Sequence, residues 1–348
     1  CEDIGTRSLS EKQDSGRAKF SKQQLENVDL ALSKYTKKAK QTLKKIDIDE
    51  PSKEFLKQRK SHLVEVMRYD PSLALQFILS RDEPSELHKL TQNCIETLVY
   101  QEGTLEILHT DFDDFGVDAY TLVTSKKERI RLHNTTGDFS VAPISGIKLR
   151  VRGYKVDEDM LLDGNDPESL VPLPRGSSLF NFFKAGEAEA AIPDSIGMQQ
   201  TIVLMVYFQN TTQPSSPTKN SLKNTVFTSV NNYYLENSYG QTGFVGDVLG
   251  WYQMPIDATC SSSVVLNEAI KIADPDVFFP NYSRLVIIAP IQGTGCDWAG
   301  SGSIGKWSHQ TADGVAIMSV ALVKPDSSNT LVIGHELGHN LGLHHATF

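Results

Sequence analysis

The sequence has no long apolar run and no excess of basic residues. No uninterrupted stretch of about 18 apolar residues occurs, so nothing in the sequence as given is predicted to span a bilayer. Lys and Arg number 34 against 43 Asp and Glu, for a formal net charge of −9. Nucleic-acid binding needs a clustered basic face, so the composition argues against that partner. With 348 residues, the chain is expected to form two or three domains.

Cysteine is scarce, with four residues in the chain: Cys1, Cys94, Cys260 and Cys296. Cys260 and Cys296 fall in the same C-terminal region, and an oxidising compartment would allow a disulfide between them, although sequence alone does not fix the pairing. Cys1 opens a polar stretch, residues 1–20, that indicates a flexible tether. A mature bacterial lipoprotein begins in this way, with a lipid on its N-terminal Cys; the alternative is an arbitrary fragment start.

Two regions with different patterns of apolar and polar residues follow the tether. Residues 21–101 are rich in helix formers with apolar positions mostly three and four apart, which predicts a helical N-terminal region. Residues 102–163 carry short alternating runs, which predict a small β-barrel or sandwich domain, OB-like in outline. In its clearest run, Ile147, Leu149 and Val151 should face the core. The intervening basic side chains are best interpreted as the solvated face of a strand and not as a nucleic-acid surface.

Residues 164–199 are rich in Pro and Gly without sustained periodicity, and they predict a linker that is a natural place for proteolytic release. In residues 200–348 the strand and helix patterns alternate, which implies an α/β sandwich with a mostly parallel sheet. The clearest predicted elements there are helices over 218–237 and 262–273 and a strand over 314–323.

The last predicted helix carries the motif His335-Glu336-Leu337-Gly338-His339. Spacing of four residues puts His335 and His339 one turn apart on the same helical face, where both imidazoles can reach one tetrahedral ion. Glu336 lies beside the first ligand and can take a proton from zinc-bound water instead of binding the metal. Ser327 or Ser328 is the expected N-cap. Two histidines that bind the metal and a carboxylate that takes a proton from water together predict hydrolysis.

The residues that follow the helix supply a third ligand. Gly342 can adopt the backbone conformation that ends a helix and turns the chain, so that His345 returns to the metal. His344 could compete for that role, but the spacing selects His345. Three neutral nitrogens leave one coordination position of a single Zn²⁺ ion vacant, where a water can lose a proton near neutral pH.

The whole segment, His335 to His345, has the form H-E-x-x-H-x-x-G-x-x-H and resembles the metzincin zinc peptidases, in particular the gametolysin-like group. Similar features lie upstream, at residues 229–240, around Cys260, and at residues 290–300. The resemblance covers about residues 201–348. It implies an α/β metzincin-like catalytic domain, an endopeptidase with one catalytic zinc, and a preceding propeptide in the place of residues 1 to about 195.

The same resemblance makes the end of the sequence informative. Metzincins carry a Met in a turn beneath the zinc, downstream of the third His, whereas here the last Met is Met318 and the sequence ends at Phe348. We therefore expect the catalytic domain to be truncated after the zinc motif, with its C-terminal part missing.

Three weaker signals have ordinary interpretations. Residues 300–305 match G-x-G-x-x-G, but no clear strand precedes them and no helix follows, so a flexible loop at the active-site rim is favoured over a dinucleotide site. Cys94 could be an inhibitory thiolate on the zinc, but it continues an apolar helical stripe and is favoured as a buried thiol. His309 could touch substrate, but an exposed loop histidine is favoured.

Two functions compete at this point. The first is a secreted or cell-surface zinc endopeptidase, made as a zymogen, that cleaves extended polypeptide paired with an edge strand of the catalytic sheet. Its partners would be protein or peptide substrates, with membrane contact only through a lipid on Cys1. The second is a surface binding protein in which the β domain recognises a ligand and the truncated zinc domain is inactive.

Overall fold

The computed structural model describes residues 22–42, 50–79, 95–112, 115–173, 195–291 and 296–345. The predicted tether with Cys1, and Cys94, lie outside these residues. Three helices open the described chain: α1 (Lys22–Thr42), α2 (Glu50–Tyr69) and α3 (Pro71–Gln76). Asp70 caps α3 by accepting a hydrogen bond from the Leu73 amide, and Pro71 occupies the first helical turn, where its missing N–H costs nothing.

Twelve strands of the described residues form one mixed sheet. The first six are β1 (Thr97–Phe112), β2 (Gly116–Thr124), β3 (Arg129–Asn134), β4 (Lys148–Val156), β5 (Asp159–Leu162) and β6 (Leu170–Pro172). The other six are β7 (Gly197–Phe208), β8 (Thr242–Met254), β9 (Arg284–Ile288), β10 (Trp298–Ser303), β11 (Trp307–Thr311) and β12 (Gly314–Val323).

The first five strands close on themselves. β1 pairs with β2 along one part of its length and with β4 along another, β2 pairs with β3, β3 runs parallel to β5, and β5 pairs with β4. The enclosed core contains Leu105, Leu122, Leu149 and Val151, which are all fully buried. The pattern of buried residues alternates along β4, as period-2 spacing predicts. This β unit, strands β1 to β6, extends beyond the predicted bounds of 102–163 at both ends.

The second half of the sheet has the order β10-β12-β9-β7-β8, in which β12, β9, β7 and β8 run parallel and β10 is antiparallel to β12. Helix α6 (Ser262–Ala273) packs on one face. The other face is covered by α4 (Lys219–Asn224), a π-helical segment (Thr225–Val230), α5 (Asn231–Asn237) and α7 (Thr330–Asn340). Alternate residues of β7 enter the two cores, Ile202 and Leu204 on the α6 side and Val203 and Met205 on the other.

The chain is therefore a mixed α/β protein with a large mixed sheet and helices on both faces of its C-terminal half. Helices α2 and α3 pack on the β unit, where a buried ion pair joins the Arg59 guanidinium to both oxygens of Glu96 at 2.7 and 2.9 Å. No helix among the described residues has the length and apolar composition needed to cross a membrane.

Several local predictions differ from the structure. Residues 97–101 are the start of β1 and not helix, because the Leu98-Val99-Tyr100 run pairs with β4. The predicted linker contributes β6 and the first residues of β7. The loop predicted over residues 293–305 is wrong for Trp298–Ser303, which form β10 between β1 and β12. This strand consists mainly of Gly and Ser, and therefore shows no alternation in the sequence.

Candidate metal centre

Residues at both ends of helix α7 fix where the helix begins and ends. The Asn329 side chain accepts hydrogen bonds from the Leu331 and Val332 amides, so Asn329 is the N-cap and the prediction of Ser327 or Ser328 is wrong. At the other end Gly342 has φ +94°, and the Leu343 amide donates back to the Gly338 carbonyl. This arrangement is a Schellman motif, which reverses the chain after the helix.

The chain reversal brings three imidazoles together. His335 Nε2 lies 3.0 Å from His345 Nε2 and 3.1 Å from His339 Nε2. His339 Nδ1 lies 2.7 Å from the Leu343 carbonyl oxygen, which can only accept, so Nδ1 carries the proton and Nε2 presents a lone pair. That orientation is the one a metal-binding histidine needs.

The spacing of these nitrogens fits a metal ion. Ligand nitrogens about 2.0–2.1 Å from a tetrahedral ion lie about 3.3 Å from one another, close to the two distances measured from His335 Nε2. Neutral imidazoles that each turn an acceptor nitrogen toward the others are poor mutual hydrogen-bond partners. The donor set of His335, His339 and His345 suits a shared cation.

Strand β1 adds two residues that the motif does not contain. Asp111 Oδ1 lies 2.9 Å from His345 Nε2, and Asp111 Oδ2 lies 3.2 Å from His335 Nε2 and 3.5 Å from His339 Nε2. The His109 ring centre lies 4.4 Å from those of both His339 and His345. His109, Asp111, His339 and His345 form a cluster able to hold a metal ion, and His335 adjoins it.

A short chain of polar contacts fixes the β1 residues. Tyr120 donates a 3.1 Å hydrogen bond to Asp118, whose other oxygen lies 2.6 Å from His109 Nδ1. His109 Nε2 lies 3.3 Å from Asp111. Burial lowers the pKa of His109, but hydrogen bonds to Asp111 and Asp118 outweigh it and raise the pKa to about 9. Burial likewise opposes ionisation of Asp111, yet contacts with His109, His335 and His339 hold the pKa of its carboxyl group far below its usual value.

Glu336 lies on the inner side of the cluster. Its side chain is 1% exposed, and Oε2 has no hydrogen-bond partner among the described residues. Burial, followed by the charge of Asp111 and a hydrogen bond to it, raises the pKa of Glu336 well above its usual value. Strand β10 makes room for this side chain, since a Cβ built on Gly300 would meet Glu336 Oε1 at 2.1 Å, and one on Gly302 would meet Oε2 at 2.8 Å.

The other residues singled out from the sequence have different surroundings. His344 turns away from the cluster, with Nε2 2.9 Å from the Pro143 carbonyl. His309 is buried in β11 and lies 3.1 Å from the Met318 carbonyl, so the expectation of an exposed loop histidine is wrong. Cys260 and Cys296 are joined in a disulfide with their Cα atoms 5.6 Å apart.

Comparison with known proteins adds no assignment. No protein-family model matches the chain, and no curated protein matches it. The site therefore has to be interpreted from its own geometry.

Sequence reasoning singled out the three histidines and Glu336, which the structure places together, but it did not single out Asp111 and His109, which lie beside them. The available signal was faint: His109-Thr110-Asp111 in an alternating run places both side chains on one face of a strand. Nothing in the sequence indicates that this strand pairs with β10, about 190 residues further along the chain, where Gly302 lies opposite His109 and Ser301 lies opposite Thr110.

Proposed function

We propose that the chain is a zinc-dependent endopeptidase whose metal is held by His335, His339 and His345, with Glu336 as general base. The observation that carries the proposal is that His335 Nε2 lies 3.0 and 3.1 Å from the Nε2 atoms of the other two histidines, beside a buried carboxyl group with one oxygen that has no hydrogen-bond partner among the described residues. Nitrogen ligands in tetrahedral geometry favour zinc among the common divalent ions.

A zinc ion bound there would polarise the scissile carbonyl and lower the pKa of water. The protein's own residues supply the rest. Glu336 takes the proton of the attacking water at its carboxylate and returns it to the leaving amine, which is general acid–base catalysis by one group. Gly300 and Gly302 leave space for this carboxyl group against strand β10, beside the cluster.

The substrate in this proposal is an extended polypeptide. Strand β10 is the strand of the C-terminal half that touches Glu336, and it pairs with β12 on one side only within that half. Its other side pairs with β1 in this structure, and an extended chain can add to the same backbone N–H and C=O groups once β1 is displaced. The disulfide between Cys260 and Cys296 supports a secreted or cell-surface location, because such bonds persist in oxidising compartments.

The test combines metal content with peptide hydrolysis. The purified chain should retain one zinc per molecule and cleave casein after limited trypsin treatment, with the trypsin then blocked. Glu336→Gln should keep the metal and lose activity by about 10²–10⁴-fold, because it removes the proton transfer alone. A Glu336→Gln protein with unchanged activity would contradict the mechanism.

The ligand assignment has a matched pair of variants. His345→Ala should sharply lower zinc occupancy, because His345 Nε2 lies 3.0 Å from its neighbour in the cluster. His344→Ala changes the adjacent histidine, which faces the Pro143 carbonyl, and should leave occupancy near one. The reverse result would show that the assignment is wrong. Stoichiometric metal with no hydrolysis under any treatment would favour the surface binding protein.

A further inference from the structure

Asp111 lies where a fourth metal ligand would be. One of its carboxylate oxygens is 2.9 Å from His345 Nε2, and the other is 3.2 and 3.5 Å from His335 and His339 Nε2. A carboxylate this close to all three ligand nitrogens could bind the same ion, at the coordination position that hydrolysis needs for water.

The strand that carries Asp111 also fills the side of β10 left free by β12. Leu108, His109, Thr110 and Asp111 pair antiparallel with Ser303, Gly302, Ser301 and Gly300. The Ser301 hydroxyl donates a 2.7 Å hydrogen bond to the His109 carbonyl, which adds a side-chain contact to the backbone pairing. An extended polypeptide substrate would need these same positions on β10.

The carboxylate is held in place from its own side as well. His109 and Asp111 share a face of β1, and His109 contacts Asp111 with Nε2 while Asp118 holds Nδ1 at 2.6 Å. A Cβ at Gly116 on β2 would meet His109 Nε2 at 2.3 Å, so the hairpin of β1 and β2 is shaped around this ring. Asp111 is therefore preorganised by the β unit and is not a surface carboxylate that happens to lie nearby.

We propose that Asp111 is the fourth protein ligand of the metal in the uncleaved chain, and that β1 lies in the substrate groove as a built-in inhibitor. This inference rests on the proposed function. It replaces the thiolate of Cys94, which lies outside the described residues, with a carboxylate as the blocking group. Activation then requires that the Asp111 carboxylate leave the metal and that water take its position.

The test uses Co²⁺ in place of zinc, because its absorption spectrum reports coordination without any activity assay. Acetohydroxamate serves as a probe for an open coordination position. The full 348-residue chain should bind one Co²⁺ and show little spectral change with millimolar acetohydroxamate. Asp111→Asn should bind the probe at least tenfold more tightly and show an altered spectrum, and Asp111→Ala should do the same if the Asn variant folds poorly.

Asp157→Asn provides the matched control. Asp157 is an exposed aspartate of the same β unit, at a turn with φ +51° that Asn also tolerates, and it pairs with Lys60 on the surface. This variant should behave as the parent chain does. Equal probe affinity and identical spectra for the parent and Asp111→Asn would overturn the inference and leave the proposed function standing. Failure of the parent chain to bind stoichiometric Co²⁺ would overturn the metal site itself.

Discussion

Gly300 and Gly302 leave space for the Glu336 carboxyl group, and this space is what positions the proposed base. A side chain at either position would take it, since the distances from a built Cβ to Glu336 oxygens are 2.1 and 2.8 Å. Real Cβ atoms do not approach so closely, and Glu336 is too buried to move aside without displacing its neighbours.

Gly300→Ala should therefore lower kcat/KM by about 10- to 100-fold while zinc content stays near one per chain, because a misplacement of about 1 Å in a catalytic group has effects of that size. The measurement is casein or peptide hydrolysis beside metal analysis, after the same trypsin treatment as the parent chain. Gly334→Ala is the control. That glycine is in α7, two residues before Glu336, and an added Cβ meets only Val230 methyls at 3.9 Å. Equal losses in both variants would show that helix perturbation, and not displacement of Glu336, is responsible.

The residues of the site differ in whether neighbouring positions in the sequence are enough to predict that they come together. His335, Glu336, His339 and His345 lie within eleven positions, and helical periodicity with a following glycine is enough to bring them together. Asp111 reaches the same point from more than 200 residues away through strand pairing. No periodicity in the sequence encodes that pairing, so a carboxylate beside these histidines could not be predicted.

Strand β11 is anchored to β12 by backbone pairing and by one buried imidazole. His309 is 6% exposed, and burial lowers its pKa to about 4 from 6.5, with a hydrogen bond to Met318 opposing the shift and the charge of Arg129 adding to it. The folded state thus binds the proton of this histidine less readily than the unfolded state does. Stability is fully present above pH 6.5 and decreases as the pH falls from 6.5 toward 4, by at most about 3 kcal/mol.

His309→Gln removes this titration and can still donate to the Met318 carbonyl. We expect the loss of unfolding free energy between pH 7 and pH 4.5 to be about 1–3 kcal/mol smaller in the variant than in the parent chain. Urea unfolding at several pH values measures it. Gln310→Asn, at the next and exposed position of the same strand, should follow the parent. A variant with the parent's pH dependence would show that His309 is not the group responsible.

Elements with strong local patterns were predictable. The amphipathic spacing of residues 262–273 and the apolar run of residues 314–323 predict α6 and β12 with the bounds that the structure has. Strand β10 could not be predicted, because a Gly- and Ser-rich segment becomes a strand only when β1 and β12 supply its hydrogen-bond partners.

The disulfide links distant parts of the C-terminal half. Cys260 immediately precedes the cap of α6 and Cys296 lies just before β10, 36 residues further along the chain. Closing a loop of that length restricts the unfolded chain by about 4 kcal/mol in the chain-entropy description, and measured values commonly lie at 2–4 kcal/mol.

Cys260→Ser with Cys296→Ser should lower the unfolding free energy of the C-terminal half by about 2–4 kcal/mol. Tryptophan fluorescence during urea unfolding reports this half, because the three tryptophans are Trp251, Trp298 and Trp307. Dithiothreitol should lower the parent to the same level and leave the double variant unchanged. Coincident unfolding curves for the parent and the variant would contradict the expected contribution.

At the scale of the whole molecule, the pattern of apolar and polar residues predicted the α/β alternation of residues 200–348 and a separate small β region. Their union into one twelve-stranded sheet was not. The five closed strands and the C-terminal strands each have their own buried core, so hydrophobic patterning indicates two units and says nothing of how their edges meet.

Release of β1 from β10 depends on the effective concentration of β1 beside its partner strand. While the backbone is continuous, the strand is tethered beside its partner and rebinds at once after every opening. A single cut between β6 and β7 would end the tether but break none of the backbone pairs from Leu108 to Phe112. The severed piece would then leave with its own dissociation rate constant, dilution would prevent its return, and activity would lag behind cleavage.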